Sequence, residues 1–275
     1  MAETGELRSK TVLFDLDGTL TDSAPGITAA TAYALSHYGI DVPDRRALLR
    51  FVGPPLRDSF MEFYGFSAEQ AEEAVTRYYR AYYRERGLFE CSVYDGVPEM
   101  LEALRVLGAR LLLATSKPEV FARAVLERFG LLPLFSGVTG SNLDGTRESK
   151  AEVVACALAG AGVSDPAAAV MVGDRRFDVA GARAAGVDTI GVLYGYGSAE
   201  ELTAAGAVAL AGAPAEVVEA VRRLRAGTGM PARRGRRTGT PGRKQRRGHG
   251  PAAVLRAEGG APLRTRAAPR RSTCW

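Results

Sequence analysis

The chain has 275 residues with 36 Lys or Arg against 31 Asp or Glu, and its basic excess sits at one end. Residues 226–275 hold thirteen basic side chains and one acid, Glu258, so they carry +12 and leave residues 1–225 at −7. A basic nucleic-acid-binding domain is thereby excluded for the first 225 residues. No apolar run approaches the roughly 18–20 residues of a bilayer span, and Cys91, Cys156 and Cys274, three in number, far apart and without CxxC or Cys/His spacing, argue against a disulfide framework and a zinc site.

The polar opening MAETGELRSK passes into an apolar segment too short for a secretory signal, which predicts a cytoplasmic protein. That segment, Thr11–Phe14, is the first expected strand; Arg110–Ala114, Ala169–Val172, Thr189–Val192 and Ala207–Leu210 follow. Continuous rather than alternating apolarity suits parallel strands covered on both faces. Helical patterns fall between them at Pro98–Leu107, Pro118–Phe129, Ser149–Ala159 and Phe177–Ala185. Gly108, Gly130 and Gly186 stand as stop signals after three of these. Alternating strands and helices predict an α/β fold, a Rossmann-like doubly wound parallel sheet.

Residues 23–90 break the rhythm. They contain helical stretches at Gly26–Tyr38, Leu56–Tyr64 and Ala68–Arg86, punctuated by Gly39, Pro43 and Gly53-Pro54-Pro55. The expected organisation is a core domain of residues 1–22 and 91–225, a small all-helical domain of 23–90, and a tail of 226–275. The tail, with nine Gly and five Pro, lacks the apolar surface to offset its ordering entropy and is expected to be disordered. Such a segment can touch nucleic acid or an anionic surface electrostatically, or be an incidental extension.

Four features carry chemistry. In Phe14-Asp15-Leu16-Asp17-Gly18-Thr19-Leu20, two carboxylates at i and i+2 leave a strand end on the same side, at the sheet edge where ligands of open α/β folds bind. Gly18 permits the tight turn that brings backbone amides to an anion. In Gly173-Asp174-Arg175-Arg176-Phe177-Asp178, two more acids follow an apolar strand; an ordinary N-cap with Asp178 in the first helical turn would use the same residues. Thr115-Ser116-Lys117-Pro118 offers hydroxyls and amides at a strand end feeding a helix, either a phosphate seat or a plain N-cap. Lys150 opens a helix where a cation opposes the macrodipole, so it calls for an anion nearby or faces solvent. Acids converging without His or Cys ask for a hard cation, with Mg²⁺ the default. His37 lies in the helical segment and His249 in the tail, so neither serves this edge.

These four elements, in this order, resemble the haloacid dehalogenase (HAD) superfamily, in its phosphatase branch with a helical cap inserted after the first strand. The resemblance spans roughly residues 10–225. Arg50-Phe51-Val52-Gly53-Pro54-Pro55-Leu56 and Gly191-Val192-Leu193-Tyr194-Gly195-Tyr196-Gly197 look like those of phosphoglycolate phosphatases or 5′-nucleotidases. The resemblance implies Mg²⁺-dependent hydrolysis of a small phosphorylated metabolite by two-step phosphoryl transfer. Asp15 would be the nucleophile and Asp17 the acid and base. Gly18, Thr19, Thr115, Ser116 and Lys150 would bind phosphate. Asp15, Asp17 (through its carbonyl), Asp174 and Asp178 would serve the metal. Arg50, Gly53 and Pro54 are the candidates for a substrate-facing cap loop, although a solvated helix-end Arg50 fits the sequence equally. Tyr78-Tyr79-Arg80-Ala81-Tyr82-Tyr83 offers aromatic faces for stacking on a base, or cap core, or a dimer contact. Asp17 separates the chain from metal-free dehalogenases, and the lack of any lysine between Lys10 and Lys117 separates it from relatives that use a cap lysine. A sugar-phosphate mutase, or an interaction protein binding nucleic acid through its tail, are the alternatives; a monomer and a homodimer are equally compatible.

Overall fold

Val12, Leu13 and Phe14 are all fully buried, which is what three consecutive apolar residues require and what only a strand covered on both faces provides. The computed structural model describes Leu7 and residues 10–144 and 146–226. The basic tail expected from the sequence lies outside the described residues, apart from its first position.

In chain order, β1 (Thr11–Phe14) leads to the short strand β2 (Thr21–Asp22), which pairs antiparallel with β3 (Ser92–Val93). Everything between β2 and β3 is helical or irregular. This insert comprises α1 (Ala24–Ser36), a 3₁₀ segment Arg45–Phe51, α2 (Leu56–Tyr64), α3 (Ala68–Glu73), a π-helical turn Ala74–Tyr79 and α4 (Arg80–Glu85). After β3 come α5 (Val97–Val106), β4 (Arg110–Pro118), α6 (Glu119–Arg128), β5 (Gly137–Ser141), α7 (Lys150–Gly160) and β6 (Ala169–Gly173). The described chain ends with α8 (Arg176–Ala184), β7 (Asp188–Val192), α9 (Ala199–Ala205), β8 (Ala209–Ala211) and α10 (Pro214–Ala226).

Six strands form one parallel sheet in the order β5-β4-β1-β6-β7-β8. Successive strands run outward in one direction from β1 and in the other from β6, so the order reverses between these two neighbours, the place where open α/β sheets bind ligands. Register aligns their ends, with Phe14 opposite both Leu113 and Val172. The residues that follow β1 and β6 therefore emerge side by side at one edge. Val12 and Phe14 pack with Leu101, Leu126 and Val217 of α5, α6 and α10, whereas Leu13 packs on the opposite face with Val153, Leu158 and Ala182 of α7 and α8.

Two local expectations are corrected, and one strand was not expected. β4 runs on to Pro118, so Thr115, Ser116 and Lys117 lie within the extended strand; its pairing with β5 shifts register between Ala114 and Pro118. The helix expected over Ala68–Arg86 is interrupted by the π-helical turn, where the Arg80 N–H bonds the Val75 carbonyl five residues back. β5, with two glycines in GVTGS, carries no apolar run and is a strand only because β4 pairs with it.

Candidate active site

Asp15 leaves β1 with its N–H still bonded to the Val172 carbonyl, in the ladder to β6. The chain then tightens: Thr21 N–H bonds the Leu16 carbonyl at 3.0 Å and Gly18 N–H bonds the Thr21 carbonyl at 2.7 Å. Gly18 adopts φ +87°, and a Cβ there would run into the Asp174 carboxylate, so only glycine allows this approach. Leu16 points into the core, which turns Asp15 and Asp17 to the same side.

Lys150 sits at the first turn of α7 behind Ser149, whose capping box with Glu152 fixes where the helix begins. Its ammonium lies 2.7 Å from Asp15 Oδ1, 2.8 Å from Asp178 Oδ1 and 3.1 Å from the Ala114 carbonyl. These anions supply what the sequence requires for a lysine at a helix N-terminus. Asp174, fully buried, accepts from the Thr19 hydroxyl at 3.2 Å and from Tyr196 N–H at 2.8 Å. Asp178 Oδ2 accepts from Arg175 N–H at 3.0 Å.

Asp15, Asp174 and Asp178 each present a carboxylate oxygen within 4.8 Å of the others, and all three are buried. Three acids around one lysine leave an excess of about two negative charges. Burial, with Asp178 and Asp17 adding to it against Lys150, pushes the Asp15 carboxyl up to about 6. Burial and the neighbouring Asp178 and Asp15 hold Asp174 well above its ordinary value. For Lys150 the order is opposed: burial alone would lower it, but Asp15 and Asp178 together raise it. A divalent hard cation fits this donor set in chemistry and in charge, since all-oxygen ligands and two missing positive charges are what Mg²⁺ takes.

Asp17 stands apart from this cluster. Lys117 donates to both of its carboxylate oxygens at 2.8 Å, and the Lys117 ammonium also lies 4.8 Å from the centre of the Tyr83 ring. Asp15, Asp17, Thr115 and Ser116 open onto a cleft whose other wall comes from the helical insert, including Gly53, Pro54 and Arg57. Insert and sheet are tied across it: Arg57 bridges Glu72 and Glu148, Arg80 donates to the Leu143 carbonyl, and Arg175 donates to the Val52 carbonyl.

The model of the haloacid dehalogenase-like hydrolase family matches residues 12–192. This chain belongs to that family. A 5′-nucleotidase of Pseudomonas aeruginosa is 48% identical to it over 72% of this chain and 89% of that protein. The tyrosine-protein kinase PtkA of Mycobacterium tuberculosis is 46% identical over 69% of this chain and 64% of its own length. The crystal structure of a predicted phosphatase from Clostridium acetobutylicum superposes with a TM-score of 0.76 at 44% identity, covering 78% of this chain and 98% of the other. The chain is an enzyme of the family's phosphatase branch.

In this HAD hydrolase the fold brings Asp15, Lys150, Asp174 and Asp178 together, with Asp17 and Thr115 beside them. Thr115 is buried, and its hydroxyl accepts from the Lys117 N–H at 3.3 Å. Thr19 is buried and its hydroxyl engages Asp174, so it acts on the cluster through that carboxylate. Arg50 is held elsewhere, its guanidinium 4.4 Å from the Phe63 ring centre and 5.4 Å from that of Tyr64, and the cleft wall does not include it. The residues that sequence reasoning missed are Lys117, Arg57 and Arg80. Lys117 adjoins Thr115 and Ser116 in the strand-end motif, and Arg57 follows the Gly53-Pro54-Pro55 turn, so both lay next to positions already marked. His37 stacks on Tyr78 at 4.0 Å and takes no part in the site. Among the described residues no helix is long and apolar enough to cross a membrane.

Proposed function

We propose that the chain is a Mg²⁺-dependent phosphomonoesterase that hydrolyses a small phosphorylated metabolite, phosphoglycolate or a nucleoside monophosphate, through an aspartyl-phosphate on Asp15. The observation that carries this reading is the buried trio Asp15, Asp174 and Asp178 around Lys150, at the ligand-binding edge of the sheet, with Asp15 opening onto the cleft.

Asp15 attacks phosphorus, forming the Asp15 O–P bond as the ester P–O bond breaks. Asp17, paired as a carboxylate with Lys117 at rest, takes up a proton as the ester binds and delivers it to the departing alkoxide oxygen, and Lys117 stabilises the carboxylate left behind. Asp17 then takes a proton from water as that water attacks phosphorus, releasing phosphate and regenerating Asp15. The Thr115 hydroxyl, the backbone amides at Ser116 and after Gly18, and Lys150 hold the phosphoryl oxygens. At about 4 Å and an effective dielectric near 20, each unit charge on the ester repels the Asp15 carboxylate by about 4 kcal/mol. Lys150 offsets part of that repulsion. Mg²⁺, held by Asp15, Asp174 and Asp178 with the Asp17 carbonyl that the family resemblance implies, would supply the remaining positive charge.

The test is phosphate release from p-nitrophenyl phosphate by the full chain with Mg²⁺ or with EDTA, combined with chemical trapping of the acyl phosphate. Release that needs the metal, with label trapped on Asp15, is expected. Equal rates with and without Mg²⁺ would remove the metal from the reading, and label on any other residue would remove the intermediate.

A further inference from the structure

The cleft has two unlike ends. Asp15, Asp17 and Lys117 stand at one end; at the other, Ile27, Phe51, Val75, Tyr79, Tyr83 and Phe121 form an apolar and aromatic wall beside Arg57 and Arg80. Tyr79 and Tyr83 lie with ring centres 5.6 Å apart and planes only 6° from parallel, and Phe121 meets Tyr83 edge-on, also at 5.6 Å. Val75, Tyr79 and Tyr83, spaced four residues apart, all line the same wall, and the π-helical turn Ala74–Tyr79 lies within this stretch. Tyr78 and Tyr82 instead join an outer aromatic group with Tyr33 and His37.

The cations on the cleft already hold protein oxygens: Lys117 holds Asp17, Arg57 holds Glu72 and Glu148, and Arg80 holds the Leu143 carbonyl. A carboxylate-bearing alcohol such as glycolate can pair with Arg80, whose hydrogen bond goes to a neutral carbonyl, but it leaves the aromatic wall untouched. Within the wall the Tyr83 hydroxyl is buried and has no hydrogen-bond partner among the described residues, so a polar group that meets it makes a bond otherwise unmade.

Resting on the phosphatase reading, we propose that this wall is a leaving-group subsite for a flat ring. The substrate class is then a phosphate monoester of a ring-bearing alcohol, nucleoside or aryl, with the ring against Tyr79 and Tyr83 and a polar ring substituent at the Tyr83 hydroxyl. Offset stacking on such a wall adds to area burial what an acyclic alcohol cannot supply.

The experiment is calorimetric binding of AMP, phosphotyrosine and phosphoglycolate to the full-length Asp15→Asn protein with Mg²⁺, alongside kcat/KM of the wild-type chain for the same three esters. At least about tenfold tighter binding of a ring ester than of phosphoglycolate is expected, the preferred ester distinguishing nucleoside from aryl. Tyr79→Leu and the packing-neutral Tyr83→Phe should each shrink that ratio severalfold, with the loss in KM rather than kcat. Equal or tighter binding of phosphoglycolate, or a ratio unmoved by both variants, overturns the subsite. Ring-selective binding with no phosphate release from any ester overturns the phosphatase reading while the subsite stands.

Discussion

Lys117 and Asp17, one hundred residues apart in sequence, form a two-pronged ion pair with both oxygens of the carboxylate 2.8 Å from the ammonium. The pair is nearly buried, the side chains keeping 4% and 12% of their exposure. Removing one member leaves the other charge without compensation, whereas removing both does not. Lys117→Met is therefore expected to lower stability by about 3 kcal/mol and kcat by roughly 10–100-fold. Asp17→Asn added to it should restore most of the stability and none of the turnover. Denaturant unfolding and steady-state rates on the double-mutant cycle measure both, and a Lys117→Met protein with wild-type kcat would dissociate the pair from catalysis.

Asp15→Asn is expected to reduce phosphate release by at least about a thousandfold with the fold retained. It removes one of three crowded negative charges while Lys150 keeps Asp178 at 2.8 Å. Phosphate release, circular dichroism and thermal unfolding on one preparation check this, and residual turnover within tenfold of wild type would exclude Asp15 as the nucleophile.

Gly195 supports the carboxylate cluster from behind. A Cβ at that position would collide with the Gly18 carbonyl and with the Asp174 side chain, while the next residue, Tyr196, holds Asp174 through its N–H at 2.8 Å. Gly195→Ala should push Asp174 out of place and raise the Mg²⁺ concentration for half-maximal activity by about tenfold or more. A magnesium titration of the variant showing the wild-type midpoint would contradict the arrangement.

Metal-free protein should lose stability as pH rises. Asp15 titrates near 6 when folded against 3.8 when free, and Asp174 is raised in the same direction. Between these values the folded state binds more protons than the unfolded one, so stability falls from about pH 4 to above 6. The Asp15 contribution is on the order of 3 kcal/mol. A cation competing with those protons binds better once they have left, so the gain in Tm from Mg²⁺ over EDTA should be small at pH 5 and large at pH 7.5. A gain that does not vary with pH would mean that these carboxyls do not titrate as a metal site.

Much of the fold was legible because burial writes itself into short runs. TVLF and AVMV have to be covered on both faces, and a parallel sheet between helices is the arrangement that does so. The acids after those runs mark the edge for the same reason, since the chain can place charge only where the strand leaves the core. β5 was not legible, because Gly137–Ser141 carries no burial signal and becomes a strand through β4 alone. The π-helical turn was equally hidden: it packs against α1 and α2, contacts that no local propensity encodes.

The sequence by itself determined five of the six strands of the sheet, the helical insert and the identity of the carboxylates at the strand ends, because those depend on apolar periodicity and on residues adjacent in the chain. Only the tertiary structure decided that Lys117 takes Asp17, that Lys150 sits between Asp15 and Asp178, and that Arg50 rests on Phe63 while Arg57 and Tyr83 line the cleft. Long side chains reach their partners through space, across separations of up to 135 residues, and which oxygen a lysine meets is set by strand register and helix placement rather than by its neighbours in the chain.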